Sequence, residues 1–265
     1  MKFEFRFEMN STGNYVGVLA NSALVKGKIA SQNAGSSNGG LYYQVGGLGV
    51  NGYFHDALGA ATLLDNVNKA MVTAYDNRFG KDAWKQDQNG RGDRLTSFYI
   101  PFPADAHSVG VSVGSRVAGM VYSVGPQIPG PKVPDRDLYR QIYVDAFAAV
   151  AAANKNAAST ETIEALRLTM LSTGIYGPSD ATDATALAHD AACVILEAVE
   201  VSAKLPDAAH LPGIMLINNS KVAKKLPNKE MDAFSSAAKA RGITVDSTGF
   251  TLDLAGQTQA KKAHL

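Results

Sequence analysis

The sequence predicts an α/β fold in which helices cover a mostly parallel sheet, and three observations carry that reading. Strand-type segments alternate with helical ones: Arg116 to Val124 precedes a helix over Leu138 to Asn154, Arg167 to Ser172 precedes one over Ala186 to Ala203, and Gly213 to Asn219 precedes one over Asn228 to Arg241. Strands separated by helices imply crossover connections and parallel pairing. The run Arg-Val-Ala-Gly-Met-Val-Tyr-Ser-Val at 116–124 is apolar at most positions instead of at every second one, as in a strand covered on both faces. Finally, two glycine loops each run into a helical pattern, one at 46–52 and one at 172–178.

Taken in order, Lys2 to Glu8 alternates aromatic and charged side chains with period two, which predicts a half-buried strand. Tyr15 to Ala20 and Ala23 to Ser31 contain the next short β-type runs, and Gln32 to Gly40 has loop composition in every residue. A helix is expected from Phe54 to Met71, with Ala57, Leu58, Ala61, Leu64 and Val67 at helical spacing. Residues 76–94 are polar and punctuated by glycine, as in a solvated insertion anchored by Trp84. Leu95 to Pro101 reads as a strand, and the proline-rich stretch from Pro126 to Pro134 crosses to the helix at 138–154. Residues 155–165 read as a connection, and Ile243 to Leu254 as a terminal β pair.

The totals narrow the function classes. With 265 residues and 46% hydrophobic content the chain can bury a substantial core as one large domain. The 25 basic and 24 acidic residues leave a net charge of +1, so no cationic face for extended nucleic acid is announced. A small ligand is expected, its phosphates held by backbone N–H groups. The single cysteine, Cys193, precludes a disulfide within the chain and lies in an apolar helical pattern that suits a small buried side chain. Neither a signal peptide nor a run of membrane-spanning length is seen, so a cytoplasmic protein without a membrane partner is expected. His107, His189, His210 and His264 show no metal-ligand spacing with each other or with Cys193, and no metal and no cofactor are expected. A Gly-x-Ser-x-Gly elbow is absent, and the first strand is not followed by a dinucleotide-binding fingerprint.

The glycine loops carry the chemistry. Gly46, Gly47, Gly49 and Gly52 fall within seven positions directly ahead of the helical pattern, where free N–H groups and the helix dipole favour an anion. Ser172-Thr173-Gly174-Ile175-Tyr176-Gly177-Pro178 repeats the plan of strand, glycine loop and helix. Two such loops would meet at the carboxyl edge of one sheet, where open α/β sheets place their ligands.

In this order, with Asn33 in the polar loop ahead of the first glycine loop and Tyr122-Ser123-Val124-Gly125-Pro126 between the two, the chain resembles the macro domain family of ADP-ribose-binding modules over roughly residues 15–220. The resemblance implies a three-layer sandwich, with a mixed, mostly parallel sheet between helices. It implies one domain over 1–265, with its core at about 15–220, the insertion at about 76–94, and a C-terminal helix and β pair at 228–254. It also implies that Gly46, Gly47, Leu48, Gly49, Val50 and Gly52 on one side, and Ser172, Thr173, Gly174, Ile175, Tyr176 and Gly177 on the other, clamp two phosphates. Tyr176 would lie beside the proximal ribose and Asn33 would contact the distal one. Asn51 and His55 stand where the hydrolytic branch of the family commonly has an aspartate and a histidine, so Asn33, Asn51 and His55 are the candidate catalytic residues. An asparagine orients a water but cannot take its proton as a carboxylate does. Asp56, Asp135 and Asp137 are spare carboxylates near the same segments, with helix starts and loop solvation as their plainer reading. The implied partner is ADP-ribose or an ADP-ribosylated protein, and the implied activity is hydrolysis of an ADP-ribosyl linkage or of an acylated ADP-ribose. A non-catalytic reader and a macro-shaped scaffold without a nucleotide ligand remain the alternatives.

Overall fold

The computed structural model describes residues 1–9, 16–36, 49–59, 61–90, 96–109, 112–173, 177–218 and 229–255. Its strands are β1 (Lys2–Glu8), β2 (Lys28–Ser36), β3 (Ser97–Pro101), β4 (Val117–Gly125), β5 (Ile163–Leu168), β6 (Ile214–Asn218), β7 (Val245–Asp246) and β8 (Gly249–Asp253). Its helices are α1 (Gly49–Leu58), α2 (Ala61–Phe79), α3 (Ala83–Gly90), α4 (Ala106–Val109), α5 (Arg136–Lys155), α6 (Ala181–Ser202) and α7 (Lys229–Ala240). The strands form one sheet in the order β3-β4-β2-β5-β6-β1-β8-β7. The five inner strands, β4 to β1, are parallel, and β3 at one end and β8 with β7 at the other pair antiparallel. The sheet is thus mixed and mostly parallel, as expected.

Side-chain alternation explains the three layers. On β1, Phe3 and Phe5 point to the face covered by α5, α6 and α7, where Phe5 stacks on Phe250 at 4.6 Å and meets Phe234 at 5.8 Å. On β4, Val121 joins that same core, while Met120, Tyr122 and Val124 point the other way. There they meet Phe54 and Leu58 of α1 and Leu63, Val67, Met71 and Tyr75 of α2. Each fully buried side chain of this size stabilises the fold by about 2 kcal/mol, so the two apolar faces of β4 hold both helix layers. Asp135 caps α5 by accepting from the Leu138 N–H at 2.9 Å, and Asp180 caps α6 through the N–H groups of Thr182 and Asp183.

Four sequence expectations need correction. The helix expected over 54–71 is two helices, because Gly59 adopts φ +55, a left-handed conformation that ends α1 and lets the chain turn into α2. The β-type run at Tyr15 to Ala20 is turn and irregular backbone over 16–20, Tyr15 lying outside the described residues. Gln32 to Ser36 is strand, not loop: these polar residues complete β2, and residues 37–40 are outside the described residues. Composition misleads there because Gln32 to Ser36 pair with β4, and the side chains of Gln32 and Asn33 find partners within the fold. The strand expected at 167–172 is β5 at 163–168, within what was read as a connection, so Thr169 to Thr173 leaves the sheet as its loop.

Residues 76–90 are largely helical, completing α2 and forming α3. Trp84 anchors α3, its ring meeting Tyr75 edge-on at 5.6 Å, and Phe79 packs on Tyr75 beside it. Among the described residues, no helix is long and apolar enough to cross a membrane.

Candidate functional site

The face of the sheet that carries α1 also carries a row of polar side chains. Glu8 of β1, Asn218 of β6, Arg167 of β5, and Ser31 and Asn33 of β2 are all buried. They lie toward the carboxyl ends of parallel strands, and Arg167 is their centre. Its guanidinium forks onto both carboxylate oxygens of Glu8, at 2.7 and 2.9 Å, and also donates to Ser31 Oγ and to the carbonyls of Val18 and Ala20. All five of its N–H groups are used. The segment at 16–20 is thereby held over the sheet, and Asn218 adds a bond from its Nδ2 to the Val16 carbonyl at 2.8 Å.

Asn33 is fully buried and faces α1. Its Nδ2 donates to Asn51 Oδ1 at 2.9 Å and touches the sulfur of Met120 at 3.5 Å, while Asn51 Nδ2 donates to the Tyr122 hydroxyl at 3.4 Å. Two of the three candidate catalytic residues, Asn33 within β2 and Asn51 in the first turn of α1, are therefore brought together. The third is not. His55 is half exposed one turn along α1, and its Nδ1 lies 3.5 Å from the exposed carboxylate of Asp56. Asp135 is spent on the α5 cap and Asp137 on an exposed pair with Arg140.

Of the first glycine loop, Gly49, Val50 and Gly52 lie in the first turn of α1, with Gly49 at φ +69, and Gly46, Gly47 and Leu48 are outside the described residues. In the second loop, Ser172, Thr173 and Gly177 are described, and Gly174, Ile175 and Tyr176 are not. Ser172 holds φ +63, and its hydroxyl donates to the carbonyl of Pro126. The adjacent Gly125 cannot be another residue without rearrangement, since a Cβ there would sit 2.7 Å from Ser172 Oγ and 2.9 Å from Leu171 Cβ. Two tyrosines of α5 fix this segment from the other face. Tyr139 donates to the Leu171 carbonyl at 2.7 Å; Tyr143 donates to the Thr169 carbonyl at 2.7 Å and accepts from the Leu171 N–H at 2.9 Å. Burial pushes both phenols well above their ordinary range, so both stay protonated donors.

Of the residues of the predicted clamp, Val50 lines a small cavity that the segment ahead of the second loop also borders. Val50 of α1, Thr169 and Met170 after β5, and Asn218 of β6 line one cavity of about 30 Å³ with Val18, Arg167 and Glu230. Arg167, Asn218 and the α5 tyrosines were not singled out from the sequence. The Ile-Glu-Ala-Leu-Arg-Leu pattern of β5 does carry a signal for Arg167, a lone cation flanked by leucines. Cys193 is only partly buried, its Sγ lies 3.8 Å from His189 Nε2, and burial raises its thiol pKa. Among the described residues no group of three His, Cys, Asp or Glu side chains is close enough to hold a metal.

The mixed, mostly parallel sheet between helix layers is an α/β fold of the macrodomain type. A mutant of the Oceanobacillus iheyensis macrodomain with ADPR matches at a TM-score of 0.50 and 16% identity, covering 86% of this chain and 90% of that one. The Oceanobacillus iheyensis macrodomain with ADP matches at 0.48 and 16% identity, covering 86% and 88%. A Trypanosoma brucei macrodomain in complex with ADP matches at 0.44 and 14%, covering 79% and 62%. No protein-family model and no curated protein matches the sequence.

Proposed function

We propose that this chain binds ADP-ribose at the carboxyl edge of β2, β5 and β6, and that it acts as a reader of ADP-ribose or of ADP-ribosylated protein. The observation that carries the reading is the convergence of two segments. The first turn of α1, which follows one glycine loop, and the segment leading from β5 into the other border the same space. The fold is shared with a macrodomain bound to ADPR, which supports the same ligand class. Backbone N–H groups at a helix start suit a diphosphate, and a protein of net charge +1 has no need of a lysine field to hold one.

Hydrolysis of the ADP-ribosyl linkage, or of an acylated ADP-ribose, is the second reading, favoured by the Asn33–Asn51 pair beside this space. Neither amide can accept a proton, so a reacting water would have to give its proton to a substrate phosphate or to His55. Among the described residues Asp56, Asp135 and Asp137 are turned to other tasks, which favours the reader.

Calorimetric titration of free ADP-ribose tests binding, with Gly174→Glu as the steric control. Saturable binding by the wild type and none by the folded variant is expected, because a bulky residue there blocks approach of phosphate to the backbone. Equal binding by both would sink the assignment, and a flat wild-type titration would leave a macro-shaped scaffold. Release of ADP-ribose from a modified protein, lost in Asn51→Ala, would convert the reader into the hydrolase.

A further inference from the structure

The cavity between β2, β5, β6 and the start of α7 is chemically one-sided. At about 30 Å³ it has room for one group the size of a water, and none for a phosphate. The amide and guanidinium donors on its lining are spent within the fold. Arg167 uses all five N–H groups, Gln32 Nε2 donates to Ser123 Oγ at 2.9 Å, and Asn218 Nδ2 donates to the Val16 carbonyl at 2.8 Å. The Thr169 hydroxyl is spent as well, on the Gln32 carbonyl at 2.7 Å. Acceptors remain. Asn218 is 8% exposed, and among the described residues its Oδ1 has no hydrogen-bond partner. Its amide cannot turn without giving up the bond to Val16, so the unmet oxygen is fixed in place. Glu230, half-buried in the first turn of α7, brings a carboxylate to the same lining, and an ionised carboxylate only accepts. Ser31 Oγ accepts from Arg167 and can still donate, which suits an occupant that both gives and takes a hydrogen bond. A hydroxyl is such a group.

We propose that this cavity is a hydroxyl subsite, in which the Asn218 amide oxygen and the Glu230 carboxylate accept from one sugar hydroxyl of the ligand while the phosphates stay outside. The proposal rests on the ADP-ribose reading and deepens it, by assigning part of the lining to the sugar and by naming Glu230 and Asn218 as binding residues. Besides the volume, charge sets the phosphates outside, since a carboxylate repels an anion at short range. The helix dipole accounts for an acidic residue in the first turn of α7, where Asp232 also stands, but not for the place of Glu230 on the cavity wall.

Calorimetric titration of ADP-ribose, ADP and inorganic pyrophosphate into the full chain, and into Glu230→Ala and Glu230→Gln, tests this. Glu230→Ala should bind ADP-ribose about tenfold more weakly, the scale of one hydrogen bond to a charged group. Pyrophosphate carries no sugar, and its affinity should not fall. Glu230→Gln keeps an acceptor oxygen and should lose only about two- to threefold with ADP-ribose, whereas a residue serving the helix dipole alone would make the two variants alike. ADP locates the hydroxyl: the same loss with ADP assigns it to the adenosine ribose, and an ADP affinity that the substitution leaves unchanged assigns it to the distal ribose. Asn218→Ala, with its fold checked by a denaturation curve, should repeat the pattern of Glu230→Ala. If Glu230→Ala binds ADP-ribose as tightly as wild type, or loses pyrophosphate in the same proportion, the inference is overturned while the binding reading stands. A wild type that binds no ADP-ribose overturns both.

Discussion

Two buried polar clusters lie on the same face of the sheet, on the neighbouring strands β5 and β2, and they are finished differently. Around Arg167 every donor is used: two bonds go to Glu8, one to Ser31 and two to the carbonyls of the 16–20 segment. Around Asn33 the network is open. Its Nδ2 is engaged by Asn51 and Met120, but among the described residues its buried Oδ1 has no hydrogen-bond partner, and neither has Oδ1 of Asn218. A closed network costs the protein nothing further and fixes geometry, whereas an unmet buried acceptor is a standing cost of about 1–3 kcal/mol. The first cluster reads as closed architecture and the second as a network that its described neighbours leave open.

The largest effect that would break this contrast falls on the closed cluster. Arg167→Leu strands the Glu8 carboxylate in a site where both side chains are 3% exposed, and should lower unfolding free energy by about 3–5 kcal/mol in urea denaturation. Adding Glu8→Leu to that variant should recover a large part of the loss, because an apolar pair replaces an unpaired charge. A single variant as stable as wild type would mean that the buried fork contributes nothing.

The contrast also explains what could be read from the sequence. Period-two alternation in Lys2 to Glu8 and the apolar run at 116–124 placed β1 and β4 within a residue of their observed bounds, since burial of one or both faces is written directly into composition. β2 and β5 failed for the opposite reason. Gln32, Asn33 and Arg167 are polar residues buried by partners far along the chain, Ser123, Asn51 and Glu8, and long-range pairing leaves no local trace. The sheet edge proposed for the site was marked in the sequence by the glycines that follow the strands. Its floor was not, because hydrogen-bond networks depend on strand order, which periodicity does not encode.

A smaller effect is expected where α5 supports the open side. Tyr143→Phe removes the hydroxyl that bridges the Thr169 carbonyl and the Leu171 N–H, leaving both buried groups unmet, at about 1–3 kcal/mol of stability. If the segment it holds belongs to the ligand site, affinity for ADP-ribose should fall alongside. A stability loss with unchanged affinity would confine Tyr143 to the architectural side of the comparison. Tyr176→Ala should leave stability nearly unchanged and weaken ADP-ribose binding by about 1–2 kcal/mol, the scale for one well-packed aromatic contact. Tyr176→Phe should cost little, and unaltered affinity in the alanine variant would assign Tyr176 to the core.

The smallest stability effect belongs to Asn51, and it separates the clusters most sharply. Asn51→Ala removes one acceptor from Asn33 at a partly exposed helix start, a net loss of about 1 kcal/mol, several-fold less than at Arg167. Its consequence for binding should be disproportionate. Asn51 is what orients the Asn33 amide, with Nδ2 toward α1 and the unmet Oδ1 fixed elsewhere, and losing that orientation lets the amide turn and satisfy its acceptor locally. Under the ADP-ribose reading, a ligand hydroxyl would then compete with that internal bond. ADP-ribose affinity should drop at least as much as stability does, and Asn51→Asp should behave differently from Asn51→Ala because a carboxylate still accepts from Asn33 Nδ2. Calorimetry on both variants, set beside their denaturation curves, decides the matter: if Asn51→Ala loses stability but binds ADP-ribose as wild type does, the open cluster is packing around Met120 and Tyr122, and the distinction between the two clusters is one of degree.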